Sequence, residues 1–181
     1  GNVTGELYQG GLVGRNGAIA SVNRSLSTGA VTGTGRVGGL VGENLGLILF
    51  SHSESPVTAT GNEAGGLAGY NLNTIMNSYS HGSVGGNQYV GGLVGYNDGD
   101  LFNSYATGPV TGNADLGGLA GIDAWVLTDC YYDSDTSGMA DVGKGTPKTT
   151  AEMMQQTTFV GWDFTNIWDI KEPYTYPFFL W

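Results

Sequence analysis

Two histidines and their serine neighbours are the first side chains that could do chemistry. His52 and His81 lie close to Ser51 and Ser78, and a serine, a histidine and an acid form the set that acyl-transfer enzymes use. The two histidines stand in different columns of the repeat described below, in serine-rich segments where outward polar residues are common. We therefore expect them to be solvated surface residues rather than members of a catalytic triad.

Acidic residues gather near the end of the repeat. Asp133, Asp135 and Asp141 echo the start of a calcium-binding loop. Lys144 follows where such a loop would close with a glutamate. Turn capping and contact with solvent are the alternative interpretation of these acids. A structural calcium ion is thus the one cofactor that the sequence suggests, and otherwise none is expected.

Two catalytic motifs can be considered and set aside. Glycosidic cleavage needs two carboxyl groups at a defined separation in a groove, whereas Asp123, Asp129 and Asp133 belong to one coil and have no basic partner. The glycine-rich segment Gly91–Gly95 lacks the Lys-Ser/Thr ending of a phosphate loop and occurs five times. No catalytic residue is assigned, and we do not expect the chain to be an enzyme.

Two pairs of tyrosines hold equivalent positions in the repeat, Tyr70 with Tyr96 and Tyr79 with Tyr105. Aromatic platforms suit sugars and peptides, so these pairs are candidates for a glycan- or protein-binding strip. The same pairs would also form a cross-strand ladder that stabilises a sheet by about 0.2–1 kcal/mol a pair. The ladder is the favoured interpretation, and binding is the alternative.

Composition limits the partners. The 181 residues suffice for one domain with a core, and 40% are hydrophobic while 12% are charged. The net charge of −10, with six Lys and Arg in total, argues against nucleic acid and against anionic membrane surfaces. No apolar run reaches the length of a membrane span, and the single cysteine, Cys130, excludes an internal disulfide framework.

A repeat organises most of the chain. Gly-Gly-Leu-(Val/Ala)-Gly occurs five times, with starts that are 28, 27, 26 and 26 residues apart. Columns of Val, aliphatic, Ser and Asn residues keep the same phase. The aliphatic column is Val22, Ile48, Ile75, Leu101 and Val126, and the serine column is Ser25, Ser51, Ser78, Ser104 and finally Asp129. Phase-locked columns of this kind indicate a repeat architecture.

Each repeat holds three short apolar segments separated by Gly, Asn, Ser or Thr, without helical periodicity. Three strands of about five residues and three tight turns make one coil of a β-solenoid. We predict an all-β fold, a β-solenoid (β-helix) of about five three-strand coils over residues 1–133, about 25 Å long. Glycine is expected to provide positive φ at sharp turns and close approach of backbones.

Stacking of the coils turns equivalent residues into ladders. The predicted core ladder is Leu12, Leu40, Leu67, Leu93 and Leu119. The predicted amide ladder at a turn is Asn16, Asn44, Asn71 and Asn97, with Asp123 in the fifth position. The serine column either forms a second ladder or faces solvent, and the sequence leaves both open.

Residues Val90–Asn97 and Leu101–Val110 resemble the GLUG repeat, Val-Gly-Gly-Leu-Val-Gly-x-Asn followed by Ile/Leu-x-Asn-Ser-Tyr-x-x-Gly-x-Val. The resemblance covers about residues 1–133, and the tail resembles a segment that often closes such arrays. GLUG repeats occur in large bacterial secreted and surface proteins, including filamentous-haemagglutinin-like adhesins and non-catalytic parts of some immunoglobulin A peptidases. The resemblance implies a cell-surface or secreted repeat scaffold, and it transfers no catalytic residue because the His-Glu-x-x-His motif of the peptidases is absent.

The repeat stops after Asp133, and residues 134–181 differ in composition. Thr149 or Thr150 can N-cap a short helix at Ala151–Gln156, and aromatic residues dominate from there to the end. We predict an aromatic-rich C-terminal cap with one short helix, which covers the last core layer and its open edge. No such segment covers the N-terminal edge, where pairing with another domain or molecule is expected.

The residues and the resemblance together predict a non-enzymatic structural or adhesive scaffold segment of a bacterial cell-surface or secreted protein. The alternatives are a carbohydrate- or host-ligand-binding module, a polysaccharide-degrading β-helix enzyme and a self-associating extracellular filament subunit. The expected partners are other domains of a larger surface protein, copies of the chain stacked at the N-terminal edge, or a glycan or host protein. Nucleic acid and membrane insertion are not expected.

Overall fold

The computed structural model describes residues 1–142 and 144–181, and it is an all-β solenoid of five coils. This confirms the predicted fold class, with one difference in the coil. Each coil has five strands of two to four residues rather than three strands of about five. Corner residues recur so often in each repeat that no strand can run longer. No helix in the described ranges has the length and apolar character needed to cross a membrane.

The strands follow the repeat coil by coil. Coil 1 contains β1 (Val3–Thr4), β2 (Tyr8–Gly10), β3 (Val13–Asn16), β4 (Ser21–Asn23) and β5 (Leu26–Ser27). Coil 2 contains β6 (Val31–Gly33), β7 (Arg36–Gly38), β8 (Val41–Asn44), β9 (Leu47–Leu49) and β10 (His52–Ser53). Coil 3 contains β11 (Val57–Ala59), β12 (Asn62–Gly65), β13 (Ala68–Asn71), β14 (Ile75–Met76) and β15 (Tyr79–Ser80).

The last two coils repeat this arrangement. Coil 4 contains β16 (Val84–Gly85), β17 (Gln88–Gly91), β18 (Val94–Asn97), β19 (Leu101–Phe102) and β20 (Tyr105–Ala106). Coil 5 contains β21 (Val110–Thr111), β22 (Ala114–Gly117), β23 (Ala120–Asp123), β24 (Leu127–Thr128) and β25 (Tyr131–Asp133). Equivalent strands of successive coils pair in parallel and in register, so each repeat position becomes a line of side chains along the axis.

The segment after coil 5 contains short elements. These are α1 (Ser134–Ser137), β26 (Thr146–Lys148), α2 (Thr150–Met153), a 3₁₀ turn (Gln156–Thr158), β27 (Trp168–Asp169) and β28 (Phe178–Phe179). Thr149 N-caps α2 in a capping box with Glu152, because each side chain accepts a backbone N–H of the other residue. A second short helix, α1, is N-capped by Asp133 and was not predicted.

This segment covers two different surfaces. Strand β26 pairs with β25, and the Lys144 carbonyl accepts the Ala120 N–H, so the predicted covering of the open end of coil 5 is present in part. Residues 149–181, which we call the strap, instead run back along the side of the solenoid. They lie on the sheet formed by β5, β10, β15, β20, β25 and β26, which we call the tyrosine sheet. The strap reaches from Tyr131 in coil 5 to Arg24 in coil 1.

The core ladder of leucines is complete in four of the five coils. Leu40, Leu67, Leu93 and Leu119 have no exposed surface. Leu12, predicted to belong to the same ladder, is 52% exposed, so that expectation was wrong for coil 1. Leu12 is exposed because coil 1 has a neighbouring coil, coil 2, on one side only. Valines and alanines from the first two strands of coils 2 to 4, together with Val110 of coil 5, form a second buried cluster.

The repeat glycines are required by close packing rather than by positive φ. A Cβ on Gly91 would lie 2.6 Å from the Gly121 nitrogen, because the backbone of β17 lies directly against that of β23 in the next coil. The described glycines with positive φ are Gly138, Gly145 and Gly161, all outside the repeat. Within the coils, positive φ falls on two columns of other residues: Arg24, Phe50, Asn77, Asn103 and Asp129, and Glu63, Tyr89 and Asp115. The expectation of positive φ at the repeat glycines was therefore wrong.

Candidate binding surface

The asparagine column forms a continuous chain of buried hydrogen bonds. Each carboxamide donates from Nδ2 to Oδ1 of the next asparagine, at 2.7 Å from Asn16 to Asn44 and 2.8 Å for the two following pairs. Asn97 donates in turn to the Asp123 carboxylate at 2.7 Å. The asparagines are at most 3% exposed, so each amide exchanges water for an equivalent partner.

The serine column forms a second ladder, which settles the alternative left open above. The Oγ of Ser51, Ser78 and Ser104 each accepts the backbone N–H of the serine one coil earlier, at 3.1–3.2 Å. The fifth residue is Cys130 rather than Asp129, and the fifth aliphatic residue is Leu127 rather than Val126. Leu127 pairs with Leu101 and packs on the core, whereas Val126 is 45% exposed. Burial raises the pKa of the Cys130 thiol to about 12.

Tyr79 and Tyr105 stack as the favoured ladder interpretation expects, and they lie beneath the strap, so the alternative of a binding strip was wrong for this pair. Their rings stack at 5.0 Å, and the side chains are 6% and 0% exposed. Trp168 packs against both rings at 6.0 and 6.1 Å, and the Tyr105 hydroxyl donates to the Pro177 carbonyl at 2.5 Å. Burial raises the pKa of both phenols. No ligand can reach these rings while the strap is in place.

The two histidines also lie under the strap, which contradicts their expected place in solvent. His52 stacks on Tyr79 at 4.5 Å and contacts Phe179 of the strap at 5.8 Å. His81 contacts Tyr176 of the strap at 5.7 Å, and its Nδ1 lies 2.5 Å from the hydroxyl oxygen of Thr107. Burial lowers the pKa of His81 to about 4 and also lowers that of His52. Sequence reasoning missed this because the covering residues come from far along the chain.

Tyr70 and Tyr96 remain half-exposed on another sheet and are the best candidates for a binding surface. Their rings stack at 5.1 Å with an interplanar angle of 10°. The Arg36 guanidinium lies 4.0 Å from the centroid of the Tyr70 ring, and Tyr89 meets Tyr96 edge-on at 5.5 Å. Each ring of the pair therefore already has a neighbour on at least one face. The surface can offer a ligand ring edges, hydroxyl groups and what remains of the Tyr96 faces.

A buried carboxylate extends this surface towards coil 1. Glu43 is 2% exposed and forms ion pairs with Arg15 and Arg36. It pairs in register with Arg15 on one side and Tyr70 on the other. Burial of a carboxylate requires such partners, and Arg36 also stacks on Tyr70. The sequence held one signal for this site. Glu43 places a charge at a repeat position where coils 3 and 4 have tyrosine.

Asp133 and Asp141 have protein partners. The Asp133 carboxylate accepts the backbone N–H groups of Asp135 and Thr136 and the hydroxyl groups of Thr150 and Tyr176, at 2.7–3.2 Å. Asp141 accepts the Gly118 N–H at 3.3 Å. In residues 1–142 and 144–181 no three acidic, histidine or cysteine side chains are grouped as a metal site. Asp133, Asp135 and Asp141 are thus not brought together as the calcium hypothesis requires.

A cleft of about 310 Å³ opens at the end of coil 5. Asp123, Leu127, Asp129, Cys130, Gly145 and Thr146 line it. Burial raises the pKa of Asp123, and its hydrogen bond from Asn97 partly offsets this effect. Two carboxyl groups thus share one cleft, although Asp133, the third acid considered in the sequence, caps α1 instead.

The comparisons with known proteins give one match. The family model of the GLUG motif matches residues 86–111. In the structure this stretch runs from just before β17 to the end of β21, which is one full turn of the solenoid with both the asparagine and the serine position. No curated protein and no solved structure matches the chain. Residues 86–111 therefore carry a GLUG motif, and the chain is consistent with a GLUG-repeat family.

Proposed function

We propose that this chain is a non-enzymatic structural segment of a bacterial cell-surface or secreted protein, where it acts as a stiff spacer or an adhesive surface. The β-solenoid and the GLUG motif fit a structural repeat protein. The observation that carries the proposal is that the repeated polar side chains bond to one another along the solenoid axis. The asparagine and serine columns are occupied by hydrogen bonds along the axis, as a load-distributing scaffold requires.

The spacer role can be tested by stretching single molecules tethered at both termini. Parallel in-register coils that share these ladders should resist extension and then lose several coils in one or a few abrupt events. An Asn71→Ala variant, which interrupts the ladder at its centre, should rupture at lower force than a Trp125→Ala variant. Trp125 is 62% exposed and provides the matched control. Gradual lengthening of the wild type at low force would contradict the spacer role.

The cell-surface role needs a separate experiment. Antibodies against this chain should label intact cells of the bacterium that makes it, or should detect it in the culture medium. Labelling that appears only after the cells are permeabilised would refute the location and leave the scaffold interpretation intact.

Ligand binding by the Tyr70–Tyr96 surface is the second candidate, favoured by its partial exposure beside Arg36. A glycan array and a panel of host matrix proteins would test it. Signal that is lost in Tyr96→Ala and kept in Trp125→Ala would establish a binding module. For the spacer role alone we expect no glycan signal from the wild type.

The enzyme alternative depends on the cleft at coil 5, where Asp123 and Asp129 are the available acids. We expect no release of reducing ends from a panel of polysaccharides. If release occurs and disappears in both Asp123→Asn and Asp129→Asn, the non-enzymatic proposal is wrong.

A further inference from the structure

The amide ladder has a direction that one residue fixes. A carboxylate can only accept hydrogen bonds, so Asn97 must turn its Nδ2 towards Asp123. Its Oδ1 then faces the previous coil and accepts from Asn71, and the same orientation passes on through Asn44 to Asn16. Every carboxamide therefore donates towards coil 5 and accepts from the side of coil 1.

The serine ladder has the same direction. Each hydroxyl oxygen accepts a backbone N–H from the preceding coil. On the outer side of coil 1, which we call the coil-1 edge, the ladders thus end in two acceptors, Asn16 Oδ1 and Ser25 Oγ. Neither atom receives a hydrogen bond from any residue in the described part of the chain.

The coil-1 edge also carries an apolar side chain in a position that is buried in the other coils. Leu12 is 52% exposed, although its four successors in the ladder have no exposed surface. Leu7, Ile19 and Leu26 of the same coil are 68%, 105% and 49% exposed. A face with unpaired strands, apolar side chains and acceptors is complementary to a partner that brings donors and an apolar layer.

A second copy of this chain does not have that chemistry at either end. Asp123 has no side-chain N–H to donate at the far end of the ladder, β26 occupies the edge of β25, and the Lys144 carbonyl already accepts the Ala120 N–H. Head-to-tail stacking is therefore blocked. Head-to-head stacking would set the acceptors of one coil-1 edge against those of the other.

We propose that the coil-1 edge is a docking surface for a further coil of the same repeat type. That coil would present an asparagine N–H to Asn16 Oδ1, a backbone N–H to Ser25 Oγ and an apolar side chain to Leu12. The inference follows from hydrogen-bond directions and does not depend on the proposed cell-surface role.

An extended chain tests the proposal. A copy of residues 31–56, which form coil 2 and include Asn44, is joined to Gly1, so that equivalent valines are 28 residues apart as in coils 1 and 2. In a Leu12→Cys background we expect maleimide labelling to slow about ten-fold or more relative to the unextended chain, because the added coil shields the position. Cys130 is buried and does not interfere.

The matched control carries Asn44→Ala in the added copy only. It keeps the apolar layer and removes the donor, so its Tm should lie about 2–4 °C below that of the unaltered extension. Equal Tm values for the two extensions, or unchanged labelling of residue 12, would overturn the proposal. Hydrogen exchange of Val13–Asn16 gives the same readout without the cysteine, and unchanged exchange would count against it equally. In sedimentation velocity the unextended chain should be monomeric, and a dimer abolished by Leu12→Asp would also overturn it.

Discussion

Replacement of Trp168 by alanine should weaken the attachment of the strap to the solenoid. Trp168 has no exposed surface and lies 4.5 Å from Trp162 and 4.7 Å from Phe179, between ring centroids, and it also packs on Tyr79 and Tyr105. Truncation of a buried aromatic residue to alanine costs about 3–5 kcal/mol, from lost transfer energy and the cavity that remains.

One feature places the expected loss at the low end of that range. The Trp168 Nε1–H is buried and has no acceptor in the described part of the chain, so its removal relieves an unpaired donor worth about 1–3 kcal/mol. We expect the free energy of unfolding to fall by about 3 kcal/mol and Tm by about 6–12 °C for a chain of this length.

Urea unfolding followed by far-UV circular dichroism measures this change without relying on tryptophan fluorescence. Trp125→Ala is the control, since Trp125 is 62% exposed and its loss should change stability by less than about 0.5 kcal/mol. The reasoning is refuted if Trp168→Ala unfolds at the same urea concentration as the wild type, or if the control is equally destabilised. A biphasic transition would show that the strap detaches before the coils unfold.

Three further predictions concern the coils. Asn71→Ala leaves two buried neighbours in the ladder unpaired and should cost about 2–6 kcal/mol in urea unfolding, and a loss below 1 kcal/mol would mean that the ladder contributes little. Gly91→Ala should reduce Tm far more than Gly17→Ala, because a Cβ meets backbone at the first position and nothing within 4 Å at the second. The pKa of His81 is about 4 in the fold against 6.5 in an unfolded chain, so only the unfolded state takes up this proton as pH falls between those values. Stability should therefore decline over that window by up to about 3 kcal/mol, and His81→Gln should flatten the measured dependence of Tm on pH.

The solenoid could be predicted because each repeat position must make the same contacts in every coil. The period, the leucine positions and the asparagine positions follow from contacts between residues 26 to 28 apart, and such contacts impose the same residue type in every coil. The number of strands in a coil was not predictable in the same way. Each corner depends on backbone angles, and positive φ falls on residues as different as Arg24, Phe50 and Asn77.

The repeat pattern could not predict the contacts that the strap makes with the coils. The aromatic composition of residues 134–181 indicated a covering segment, but not which face it would cover. Contacts with the strap bury Tyr79, whereas Tyr70, which the strap does not contact, stays half-exposed. The histidines were misplaced for the same reason. Exposure of a solenoid side face is decided by a segment that has no repeat of its own.

The path of the strap also sets the order of events during synthesis. Each coil can form soon after its own residues emerge, because its partners lie about one repeat earlier in the chain. Trp181 contacts Arg24 in coil 1 and Phe50 in coil 2, so this closure must wait until residue 181 has left the ribosome. Until then the aromatic face that includes Tyr79 and Tyr105 is bare, which exposes the nascent chain to aggregation and makes it a substrate for chaperones.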